Sequence, residues 1–223
     1  MTLAPLGRRA AAEATGSFLL FAAVVGSGVM AERLAGGNVA LALLANMAAT
    51  GAMLFVLITM LAPVSGAQMN PAVSMVAALR GDQSWREAGL FALTQLIAGI
   101  AGILVVHAMF EMPLLELSAK ARTGPGQWLG EFVGTFGLIL TIVGTARHKP
   151  SWIAPAVALY ISAAYWFTSS SSFANPAITA ARALTNSFAG IAPTDVPGFV
   201  LAQLAGALAG SALGSYLFPK APV

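Results

Sequence analysis

A short stretch that occurs twice constrains this chain more than any other feature. Residues 65–78 read Ser-Gly-Ala-Gln-Met-Asn-Pro-Ala-Val-Ser-Met-Val-Ala-Ala, and residues 171–184 read Ser-Ser-Phe-Ala-Asn-Pro-Ala-Ile-Thr-Ala-Ala-Arg-Ala-Leu. Each has a run of small residues, then Asn-Pro-Ala, then a segment that favours helix. An asparagine oxygen can accept a hydrogen bond from the first turn of a helix. Proline is favoured at the first helical position, where its missing N–H costs nothing. Asn70 and Asn175 therefore read as caps of helices that begin at Pro71 and Pro176, with Ala72 and Ala177 in the first turn. Few uncharged residues separate Asn70 from Arg80, and a bilayer-crossing helix needs about 20. The spacing predicts half-helices.

Composition supplies the setting. The chain is 58% hydrophobic and 9% charged, against about 25% charge in a soluble domain, which makes it an integral membrane protein. The apolar runs are long and unbroken and lack barrel-strand patterning, so the spans are helical. The +3 net charge reflects few acids rather than a basic patch, and nucleic acid is not implied. With no cysteine, thiolate chemistry and Cys-ligated metals are excluded. His107 and His148 have no ligand partners nearby in sequence, and neither a metal nor a cofactor is implied. His107 reads as interfacial and His148 as part of a solvated turn. The run after Arg8-Arg9 reads as a first membrane helix rather than a cleaved signal.

Full spans are expected at about 13–30, 39–61, 85–109, 127–146 and 152–169, with a last one containing 199–210. Residues 34–79 carry no charge, too long for one span, so a helix, a loop and the first half-helix must share them. Irregular backbone at membrane depth is allowed only where it is buried in protein or lines a wet cavity. The second half retraces the first. Glu13-x-x-Gly16-x-Phe18 recurs as Glu131-x-x-Gly134-x-Phe136, and Phe91-x-x-x-Gln95-Leu96 recurs as Phe199-x-x-x-Gln203-Leu204. Repeats over about 10–112 and 127–219, within a single 1–223 domain, follow. Three spans per half is an odd number, so the halves lie upside down to each other and both asparagines meet near mid-membrane. Arg8, Arg9, Arg80, Arg86, Arg147, Lys149 and Lys220 fall on one side, and Arg33, Lys120, Arg122 and Arg182 on the other. The positive-inside rule puts both termini in the cytoplasm. Gly206, Gly210 and Gly214 read as an intramolecular packing stripe.

These paired boxes and inverted halves resemble the major intrinsic proteins, the aquaporins and aquaglyceroporins, over about residues 10–217. The resemblance implies six transmembrane helices plus two re-entrant half-helices, an all-α membrane fold, and a homotetramer with one pore per subunit. It implies passive passage of small neutral solutes past Asn70 and Asn175, whose half-helices bring positive dipole ends to mid-pore. It implies that Glu13 and Glu131 support the loops. It also implies a four-cornered selectivity filter, which counting places at Thr50, Ala163, Ser172 and Ile178. The family usually has arginine where Ile178 stands, and such small neutral corners predict a wide pore. Arg182, on the face of Asn175 and Ile178, reads either as an outer-vestibule charge or as a helix-end arginine bonded to loop carbonyls.

The segment 165–191 resembles a bacterial branch that lacks the filter arginine and is associated with arsenic resistance. That implies an inner-membrane channel for water, glycerol-like polyols and undissociated arsenite. A mainly water-conducting channel is the alternative. An ion-coupled transporter would need ionisable groups at the midplane, where only Glu13 and Glu131 stand at helix starts. No catalytic set is present, so an enzyme is not expected.

Overall fold

A computed structural model describes residues 4–219; Lys220, one of the charges counted for orientation, lies outside the described residues. Eight α-helices follow in order: α1 (Leu6–Leu34), α2 (Val39–Ser65), α3 (Pro71–Leu79), α4 (Trp85–Met109), α5 (Pro125–His148), α6 (Ile153–Phe167), α7 (Pro176–Ala181) and α8 (Val196–Leu217). Five of them, α1, α2, α4, α5 and α8, are long and apolar enough to cross a membrane. The sixth span is α6, whose 15 residues continue a 3-10 turn at Pro150–Trp152. Together they reach about 28 Å, close to the roughly 30 Å of a hydrocarbon core. The two half-helices are α3 and α7, and α7 runs on into a 3-10 turn at Arg182–Leu184.

Local chemistry explains the boundaries. Pro63 does not stop α2, which continues to Ser65. Gly66 stops it with a left-handed φ of 94°, its N–H closing on the Ala62 carbonyl, a conformation that glycine adopts without steric cost. Ser84 and Glu87 form a reciprocal capping box that starts α4 at Trp85. Asn70 and Asn175 cap α3 and α7 with proline next in line.

The halves pack alike, as inverted three-helix units. The α1–α4 and α5–α8 pairs are the two most extensive helix contacts. At each crossing a glycine meets backbone: a Cβ on Gly102 would strike the Phe18 carbonyl, and one on Gly206 the Phe132 carbonyl. Gly210 and Gly214 likewise face Phe136 and Val143 of α5, so the stripe on α8 serves packing within the chain. The main core cluster joins α1, α2, α5 and α6 with the two loops, including Phe21, Val25, Leu57, Ala174 and Ala181.

Gly206→Leu would drive its side chain into the Phe132 backbone, at a cost of about 1–3 kcal/mol or more. Detergent-solubilised protein should show a lower Tm and folded yield. Gly89→Ala, whose new methyl group would have nothing within 4 Å, should match wild type. Equal stability of the two variants would contradict this packing.

Candidate functional site

Each half builds one side of the site from a buried carboxylate. Glu13 is 0% exposed. Its Oε1 accepts from Ser65 Oγ at 2.7 Å and the Gln68 N–H at 2.9 Å. Its Oε2 accepts from the Met69 N–H at 2.6 Å and Gln95 Nε2 at 2.8 Å. Glu131, also 0% exposed, accepts from the Phe173 and Ala174 N–H groups at 2.8 and 2.9 Å and from Gln203 Nε2 at 2.6 Å. The glutamines are tied on to the half-helices: Gln95 Nε2 lies 3.2 Å from Ser74 Oγ, and Gln203 Nε2 donates to Thr179 Oγ1 at 2.8 Å. Gln95 and Gln203 recur in the sequence as repeat landmarks, but only the fold brings them to the carboxylates.

The loops so held adopt an uncommon backbone. Ala67, Met69, Ser172 and Ala174 have φ between 47° and 48°, a region costly for residues with a side chain. The Met69 and Ala174 amides turn onto the glutamates, while those of Ala67 and Ser172 donate to Ser65 Oγ and Ser170 Oγ. Asn70 Oδ1 accepts from the Ala72 N–H at 2.9 Å, while its Nδ2 donates to the Ala174 carbonyl at 2.7 Å. Asn175 Oδ1 accepts from Ala177 and Ile178, and its Nδ2 donates to the Met69 carbonyl at 2.8 Å. Each asparagine thus caps its own half-helix and clasps the opposite loop. A side-chain amide has two N–H donors, so one on each remains for a solute.

A cavity of about 110 Å³ runs past these groups. One wall is apolar: Leu20 and Val24 of α1, Leu54 and Ile58 of α2, Leu138 and Ile142 of α5, and Ile153, Val157 and Ile161 of α6. The other carries Asn70, Asn175 and the loop residues 66–69 and 172–174. Helices α4 and α8 add no lining residue.

The filter positions obtained by counting divide. Thr50, Ser172 and Ile178 line the cavity. Ala163 does not; it is exposed on the far side of α6. The lining residues of α6 recur every four positions, and two residues past Ile161 is a rotation of about 200°. Tyr165 takes the place instead, buried and lining the cavity, with its hydroxyl donating to Thr50 Oγ1 at 3.1 Å. An aromatic side chain, not a small one, lines the cavity there. Ser172 contributes backbone more than hydroxyl, because its Oγ nests against Gly134 of α5. In the first half Met69 Sδ fills the matching notch at Gly16.

Arg182 also lines the cavity, 5% exposed. Its Nε donates to the Ala189 carbonyl, and its guanidinium carbon lies 3.3 Å from the Phe173 ring centroid. Arg182 is thus bonded to a loop carbonyl and also lines the cavity. His107 is not interfacial. It is fully buried, with Nδ1 2.9 Å from the Leu114 carbonyl and Nε2 2.8 Å from Thr185 Oγ1. It ties the loop after α4 to the segment after α7. His148 meets the Phe218 ring edge-on at 5.5 Å. Among the described residues no group of three His, Cys, Asp or Glu could hold a metal.

A bundle of inward-capped half-helices around a two-sided lumen defines a membrane channel for small solutes. The family model described as Major intrinsic protein matches residues 2–165, and the chain belongs to the major intrinsic protein family. It is 52% identical to Aquaglyceroporin AqpS of Rhizobium meliloti (strain 1021) over 219 residues, covering 98% of this chain and 94% of that one. It is 32% identical to a probable aquaporin PIP2-8 of Oryza sativa subsp. japonica, covering 65% of this chain and 54% of the plant protein. The fold matches the X-ray structure of the aquaglyceroporin from Plasmodium falciparum with TM-score 0.68 at 18% identity, covering 96% of both chains.

Glu13→Ala would strand the two loop amides, Ser65 and Gln95, at about 1–3 kcal/mol per unsatisfied buried group. Folded yield after purification should fall sharply, while any protein that does fold keeps its relative solute permeabilities. Normal yield with altered selectivity would overturn this assignment.

Proposed function

We propose that the chain forms a passive pore for water and small uncharged polyols, including glycerol and undissociated arsenite, whose As(OH)3 form presents three hydroxyls. The observation that carries the reading is the two-sided lumen. A polyol can hydrogen-bond the loop carbonyls and the asparagine amides along one wall while its carbon face slides along Leu54, Ile58, Val157 and Ile161. Such a lumen combines an apolar body with a few well-placed polar groups. The relative with 52% identity is named an aquaglyceroporin, which supports the same class of solute.

In this reading the filter is Thr50, Tyr165, Ile178 and the Ser172 backbone, with Arg182 one helical turn beyond Ile178 toward the mouth. The charge that the family usually places directly after the second Asn-Pro-Ala is displaced rather than deleted. Facing half-helix N-termini oppose cations at the midpoint, each equivalent to roughly half an elementary charge. The Ile178 mouth faces outward and both termini face the cytoplasm of a bacterial inner membrane, following the Lys and Arg asymmetry. Four chains assemble with one pore each, as in the family it belongs to.

Stopped-flow light scattering of proteoliposomes tests the reading. Wild type should pass water, glycerol and arsenite. Tyr165→Ala should raise the glycerol-to-water ratio severalfold, and Ile178→Arg, adding a second guanidinium at the constriction, should lower it. A wild type that passes water alone would sink the polyol and arsenite reading.

A further inference from the structure

Three cations gather at the Ile178 end of the lumen on three consecutive backbone carbonyls. Lys120 Nζ donates to the Phe188 carbonyl at 2.9 Å, Arg182 Nε to the Ala189 carbonyl, and Arg122 Nε to the Gly190 carbonyl at 2.8 Å. Arg122 also reaches the Phe188 and Ser170 carbonyls at 3.4 and 3.5 Å. Both guanidiniums contact one ring, Phe173, at 3.3 Å for Arg182 and 5.0 Å for Arg122. Among the described residues none of the three cations forms an ion pair; those present are Arg9–Glu87 and Arg80–Asp82. The neighbouring acids are otherwise engaged. Asp195 accepts the Arg122 backbone N–H at 2.7 Å, and Glu131 is filled by loop amides and Gln203. Glu32 acts on Lys120 only as a distant charge.

Carbonyl dipoles hold these side chains in place without neutralising them. Burial, and then the Arg122 charge, holds the Lys120 ammonium below the ordinary lysine range, and burial does the same to Arg122. Arg182 is 5% exposed, yet only its Nε has a protein acceptor. Among the described residues its two Nη groups have no protein acceptor, and the side chain lines the cavity. They form a planar fork suited to two acceptor oxygens at once. An ion seated there stands in the conduction path beside Thr50, Tyr165 and Ile178. It gains little by going further, because the apolar wall beyond offers no replacement for the hydration that a charge must shed.

We propose that this mouth is a binding site for a small carboxylate-type oxyanion of formate's size, which the Nη fork of Arg182 holds through two oxygens. Lys120 and Arg122 supply the field that draws the anion in, and the bound anion blocks neutral-solute flux instead of permeating. The site lies beyond the proposed conduction of polyols but uses the same lumen, so water flux reports its occupancy.

The test is osmotic water flux in proteoliposomes as sodium formate replaces sodium chloride at fixed ionic strength, fixed osmolality and neutral pH. Wild-type flux should fall saturably with formate and recover on its removal. Arg182→Lys keeps the charge but loses the fork, and should raise the half-inhibitory concentration about tenfold, the scale of one lost charge-assisted hydrogen bond. Lys120→Gln, on the loop outside the lumen lining, should raise it roughly threefold through the weakened field. Equal effects of formate and chloride would overturn the site, as would an unchanged formate response in both variants. Should Arg182→Lys not fold, the formate-versus-chloride comparison and Lys120→Gln decide alone. An absence of water flux in wild type would defeat the channel reading instead. Calorimetric titration of the solubilised protein with formate then judges the site by itself, and no heat of binding would reject it.

Discussion

Glu13 and Glu131 each place a carboxylate in the interior of a membrane bundle, where an uncompensated charge is among the most expensive features a chain can carry. The cost is met by donors that the loops present: Gln68 and Met69 N–H with Ser65 and Gln95 on one side, Phe173 and Ala174 N–H with Gln203 on the other. That pairing fixes which way the loop amides point. It therefore fixes the left-handed residues at 67, 69, 172 and 174, the direction of the carbonyls, and the position at which each asparagine begins its half-helix. Backbone that is neither helix nor sheet is tolerated at membrane depth only where every polar group is met or faces a wet lumen. The glutamates meet two amides of each loop, and the asparagines meet the Ala174 and Met69 carbonyls.

The two halves share this device and differ in what they build on it. At Gly16 the notch receives the Met69 thioether, while at Gly134 it receives the Ser172 hydroxyl. The second loop alone carries an aromatic side chain, Phe173, contacted by Arg122 and Arg182. The same two arginines and Lys120 are anchored on the 188–190 carbonyls. A near-symmetric scaffold thus gathers three cations on consecutive carbonyls at the Ile178 end of the lumen. The asparagine clasp at the centre, by contrast, is the same from both sides.

Much of the architecture is legible in one dimension because it is encoded in local, repeated chemistry. Asn-Pro is a cap followed by an N1 proline wherever it occurs, and a half-helix follows from the short distance to the next charge. Recurring Glu, Gly, Phe and Gln landmarks reveal two copies of one unit. Helix ends are less legible: Pro63 looks like a stop, yet α2 runs on to Ser65 and ends at the left-handed cap of Gly66. Positions far from the motif are less legible still. A count of residues assigns Ala163 to the lumen, but the helical phase of α6 turns it outward and brings in Tyr165.

The sequence by itself determined that the chain is a membrane protein, that it is duplicated and that it carries two asparagine-capped half-helices; the placing of Glu13 and Glu131 came only from the resemblance. Those conclusions rest on composition and on contacts within one turn of backbone, and neither depends on distant packing. The tertiary structure alone decided which side chains face the lumen and what charge the mouth carries. Thr50 and Tyr165 stand on different helices, and Lys120, Arg122 and Arg182 come together only where a loop, a half-helix end and the 188–190 carbonyls converge. Convergence of that kind is set by helix rotation and crossing, which counting along a single chain cannot resolve.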